Sequence, residues 1–117
     1  MAIQVFAQTM ACNVTSASAP VTFLAGARNV SVYIPAAASG ADVRFLTSYD
    51  GGTTYTNIKY APSSGVTVVG NVQIGSAVTA TCVKVNELAG LLYVKAEYTT
   101  AVVSTSGVFY YIVDSGA

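Results

Sequence analysis

The sequence predicts an all-β fold, a single antiparallel β-sandwich over residues 1–117, and three observations predict it. Val, Thr, Ser, Ala, Gly and Tyr dominate the composition, while the long helix formers Leu, Glu, Lys and Gln are scarce. β-Branched and aromatic side chains suit a pleated, half-buried surface. Apolar residues alternate with polar ones in short runs, which is the period of a strand. Turn signals built from Gly, Pro, Asn and Asp recur between those runs. A chain of this length makes one ordinary domain and buries a core without staples.

The elements follow in order. Ile3 to Thr15 reads as a long first strand. Val21 to Ala25 follows the break at Pro20. Asn29 to Ile34 alternates cleanly, with Val30, Val32 and Ile34 on one face and Asn29, Ser31 and Tyr33 on the other. The segment from Pro35 to Gly40 is a loop; its Ala run is too short for a helix. Ala41 to Ser48 sets Val43, Phe45 and Thr47 opposite Arg44, Leu46 and Ser48. Asp50, Gly51 and Gly52 form a tight turn, and Thr54 to Tyr60 returns as the second arm of a hairpin. Val66 to Val69 and Val72 to Ile74 are short strands divided by Gly70 and Asn71. Ala77 to Val85, Leu91 to Tyr98 and Val108 to Val113 complete the set, with Tyr93, Lys95 and Glu97 sharing one face. Many short strands at regular spacing point to a jelly roll, with an immunoglobulin-like sandwich as the alternative. The absence of Trp weighs against that alternative.

Charge bounds the partners. Charged residues make up 9% of the chain and cancel to zero net charge. An ordinary soluble domain carries roughly 25%, and a neutral surface favours association. Arg28, Arg44, Lys59, Lys84 and Lys95 are scattered singly, so no basic patch offers itself to nucleic acid. No apolar run approaches the ~20 residues of a membrane-spanning helix. The N-terminal Met1 to Phe6 has no basic region of the kind that opens a secretory signal, so a chain made in a cytoplasm is expected.

Catalytic chemistry has little to stand on. The chain has no His, which removes the common nucleophile–base pairs. Asp42, Asp50, Glu87, Glu97 and Asp114 are spaced so that no two meet locally, and they read as surface or turn residues. Cys12 and Cys82 are too few for a zinc site; they read as buried, reduced thiols, with a disulfide open if their strands pair. No catalytic residue, cofactor or metal is expected, and the chain is read as a non-enzyme.

The most specific stretch runs from Ser48 to Tyr55. Ser48, Asp50, Gly52, Thr54 and Tyr55 match the Asp-box pattern Ser-x-Asp-x-Gly-x-Thr-aromatic, with Tyr where Trp is usual. Its physics is local: the Asp50 carboxylate accepts backbone N–H groups across the turn, and the glycines permit positive φ. Turn formation already accounts for every matched residue, and the competing reading is carbohydrate binding near the turn. The run from Val21 to Pro35, the segment from Asp42 to Gly52 that enters this hairpin and the segment from Leu91 to Glu97 together resemble small structural proteins of tailed bacteriophages, head decoration (cement) proteins and some tail or fibre domains. The resemblance implies a β-sandwich on the outer capsid surface of a virion, bound to the major capsid protein and to itself as a trimer or dimer. It transfers no site residues. A carbohydrate-binding module of a tail fibre or secreted protein, and a tail or neck component, are the other functions in view. Of the eight tyrosines, each singly is expected to be half-buried with its hydroxyl at the rim.

Overall fold

In a computed structural model the chain is an all-β sandwich of two antiparallel sheets. The structure describes residues 3–11, 20–36, 42–60, 70–75, 80–99 and 106–114. The strands are β1 (Ile3–Ala11), β2 (Thr22–Phe23), β3 (Asn29–Ile34), β4 (Val43–Ser48), β5 (Tyr55–Asn57), β6 (Lys59–Tyr60), β7 (Gly70–Asn71), β8 (Gln73–Ile74), β9 (Thr81–Lys84), β10 (Tyr93–Tyr98) and β11 (Ser106–Asp114). The first sheet has the order β1-β11-β3-β9, and the second β2-β10-β4-β5 with β8 also on β4. β6 and β7 pair as a separate ribbon.

Alternation decides which face of each strand is inside. Val30, Val32 and Ile34 are buried on β3, as are Val43 and Phe45 on β4, while Asn29 is exposed and Ser31 and Tyr33 are half-buried. Val94, Ala96 and Tyr98 fill the second sheet's inner face, against Phe109, Tyr111 and Val113 from the first. The Tyr98 and Phe109 rings lie 6.0 Å apart between the sheets. A 3-10 turn, Asn86–Leu88, drops the fully buried Leu88 into the core. Each such side chain contributes about 1.5–3 kcal/mol by leaving water.

Several elements differ from the sequence expectation. β1 ends at Ala11 within the described residues; Cys12 to Thr15 and Val66 to Val69 lie outside them. The return arm of the hairpin is broken in two at Ile58. There the Ile58 N–H donates to the Phe45 carbonyl, the Phe45 N–H to Val72, and the Val72 N–H to Ile58. This three-way exchange lets β4 pair with β5 at one end and β8 at the other, while β6 and β7 peel away. Gly70 and Asn71, expected to divide two strands, therefore form a strand themselves.

Three further readings are corrected. Tyr98 and Tyr111 are fully buried core residues, not rim residues. The Tyr111 hydroxyl has no hydrogen-bond partner among the described residues, and burial pushes its phenol far above the usual tyrosine range. Removing that orphaned hydroxyl relieves a desolvation cost, so Tyr111→Phe should raise stability by about 1 kcal/mol, read as a higher chemical-denaturation midpoint. Cys82 is an exposed free thiol on β9, not a buried one. β1 and β9 stand at opposite edges of their sheet, so the strand after which Cys12 comes does not pair with the strand carrying Cys82. Glu97, read as a surface acid, is 3% exposed.

Candidate functional site

The outer face of the second sheet gathers polar, charged and aromatic side chains. Register sets its side chains in rows. Phe23 pairs with Tyr93, and Ser48 with Tyr55, which makes one row that runs across the sheet. Lys95, Leu46 and Asn57 form the next row, and Glu97, Arg44 and Gln73 the third. The Phe23 and Tyr93 rings are 5.2 Å apart.

The hairpin from Ser48 to Tyr55 closes one end of this face. The Asp50 carboxylate accepts the backbone N–H groups of Thr54 at 2.7 Å and Thr53 at 3.2 Å, both at its Oδ1. The Ser48 hydroxyl donates to the same oxygen at 2.8 Å and itself accepts the Gly52 N–H at 2.8 Å. Gly51 and Gly52 have φ of 79° and 101°, a region that costs any side chain strain. All five matched residues thus sit in one turn: Ser48, Asp50 and Gly52 through side-chain or backbone bonds, Thr54 as a donor, and Tyr55 at the start of β5. The bonds from Thr54, backbone first and then hydroxyl, hold the Asp50 carboxyl below its usual range against the opposing effect of burial, with Ser48 and Thr53 adding to them.

That shift fixes a pH dependence. The folded value lies below the ordinary 3.8, so the stabilisation is complete above that pH and is lost as pH falls through the folded value. Asp50→Ala should therefore melt lower than wild type at neutral pH, and the gap should close in acid. An equal gap at every pH would remove the carboxylate from the account.

Charge is buried beside the hairpin. Lys95 is 3% exposed and sets its ammonium 4.4 Å from the centre of the Tyr55 ring. Burial, and then the fields of Tyr93 and Asp50, raise the Tyr55 phenol above its usual value. Glu97 accepts two charge-assisted bonds from the Arg44 guanidinium at Oε1. The Asn57 Oδ1 is buried without a hydrogen-bond partner among the described residues.

A scan against protein-family models, a search of curated proteins and a search of solved structures each returned no match. The site therefore rests on its own chemistry. Among the described residues no three His, Cys, Asp or Glu side chains gather as they would around a metal ion. Asp42 is tied to Gln73, Asp114 to Arg28 and Asn29, and Glu97 to Arg44. Asp50 is spent on its turn. The face can present rings and hydrogen-bonding groups to a ligand or partner. Sequence reasoning placed Tyr93, Lys95 and Glu97 together by alternation, but Asn57 and Arg44 join them only through register.

Proposed function

We propose that this chain is a non-enzymatic virion structural protein, a head decoration (cement) subunit that bridges neighbouring capsid proteins on the outer shell of a tailed bacteriophage. The supporting observation is where the exposed apolar side chains lie. Most lie near the β1 and β2 edges, Val5 61% and Phe23 51% exposed among them; Tyr49, 74% exposed, stands apart at the hairpin tip beside β5. A decoration subunit needs one region for its own copies and another for the capsid, and aromatic anchors carry much of an interface's energy. Repetition on a symmetric shell multiplies weak contacts by avidity.

We also read the sandwich as a jelly roll. The chain runs out through β1, β2, β3 and β4 and returns through β5, β9, β10 and β11. Each outgoing strand pairs antiparallel with its returning counterpart: β1 with β11, β2 with β10, β3 with β9, β4 with β5. That is a long hairpin rolled into two sheets, with β6 to β8 as an insertion.

A second reading, a carbohydrate-binding module, draws on the row of Phe23, Tyr93 and Tyr55 and on the Asn57 Oδ1, which has no hydrogen-bond partner among the described residues. One pair of titrations separates the two. Saturable binding to phage heads that lack the protein, with no retention on a glycan array, is the expected result. Retention by a sugar with no binding to heads would transfer the function to the second reading.

A further inference from the structure

The two sheets are clasped at one side by a buried amide. Gln8 on β1 donates from Nε2 to the Pro20 carbonyl, and its Oε1 accepts the Thr22 hydroxyl of β2. Edge strands β1 and β2 therefore lie on the same side of the sandwich. Six of the seven exposed large hydrophobic residues among those described lie near these two edges: Ile3 and Val5 with Tyr110 on the outer face of the first sheet, and Val21, Phe23 and Leu92 around β2 in the second.

The edges differ in a way that matters for association. Proteins protect exposed edges with short strands, charge, proline or bulges. β9 is four residues long and carries Lys84, and β5 is three residues long. β2 has only two residues. β1 has nine, runs in unbroken register along β11, and holds no charge and no proline. Among the described residues β1 pairs on one side only.

We infer that this side is the interface with a second copy of the chain, in which two β1 strands pair antiparallel about a two-fold axis and join the first sheets of both copies into one. Charge argues for a copy as the occupant. A surface that meets itself cannot carry net charge without self-repulsion, and residues 3–11 and 20–27 contain no charged side chain. Strand alternation keeps Ile3 and Val5 on the same outer face as their counterparts. The edge is long enough: nine residues span about 30 Å, so two β1 strands can exchange backbone hydrogen bonds along their whole length.

This deepens the assembly reading by naming its self-contact, and its test needs no particle. Sedimentation velocity on the pure protein across micromolar to millimolar concentration should show a reversible monomer–dimer equilibrium. Val5→Lys and Phe23→Lys should each weaken it by at least about tenfold while leaving the melting temperature near wild type. Tyr49→Lys, at the hairpin tip, should not change it. A monomer at every concentration, or a dimer indifferent to both Val5→Lys and Phe23→Lys, would overturn the inference. Failure to bind phage heads would instead count against the shell reading alone.

Discussion

Replacing Arg44 with Met should destabilise the protein by about 2–3 kcal/mol and lower its melting temperature by about ten degrees. Glu97 lies on the central strand β10 with its side chain 4% exposed, and two guanidinium N–H groups of Arg44 meet one of its oxygens. Removing the cation strands a carboxylate in a poorly solvated place. Breaking a fully buried pair costs about 3–5 kcal/mol. The Arg44 side chain is 30% exposed, which lets water reach the site and places the effect below that range. The double variant Arg44→Met with Glu97→Leu should recover most of the loss, because a packed apolar pair carries no desolvation penalty. Urea denaturation of the two variants checks both statements. A single variant as stable as wild type would mean that Glu97 is held by something other than Arg44.

Gln8→Glu should be comparably costly at neutral pH, about 2–3 kcal/mol, and much milder in acid. Gln8 is 4% exposed and uses both ends of its amide, one as donor to the Pro20 carbonyl and one as acceptor from Thr22. A carboxylate keeps the acceptor but turns a bare negative oxygen toward a carbonyl oxygen. Burial raises the folded-state value of the new acid above that of the unfolded chain, about 4.3. The variant should therefore be close to wild type below that pH, where a protonated carboxyl donates to Pro20, and lose stability as pH rises through the folded value. Because the clasp joins the two edges, the loss should also open the β1 and β2 side first. Hydrogen exchange at β1 amides should accelerate more than at β3 or β10 amides. A pH-independent cost would show that packing, not the donor at Pro20, makes Gln8 important.

These two residues mark where the sequence stops being legible. Alternation shows the inner faces of β3, β4 and β10, since burial on one side imposes a period of two. The hairpin from Ser48 to Tyr55 is readable because its bonds span at most four residues. Lys95 and Glu97 also fall on the outer face by alternation, and a charge on an outer face reads as solvated. They are buried because register brings Tyr55 and Arg44 over them from strands tens of residues away. Gln8 reads as one more polar position in a first strand; only the meeting of β1 with β2 makes it a clasp. The split of the β5 arm at Ile58 depends on a bond to Val72 that no local pattern announces. Cys82 reads as buried because free cysteines usually are, whereas the pairing of β9 with β3 turns it outward beside Tyr33.

Cryo-electron microscopy of phage heads lacking this protein, before and after adding it back, tests the central proposal most directly. The account predicts new density of this sandwich on the outer head surface, repeated at equivalent junctions between capsid subunits. Density confined to the tail or neck, or none at all, would contradict it.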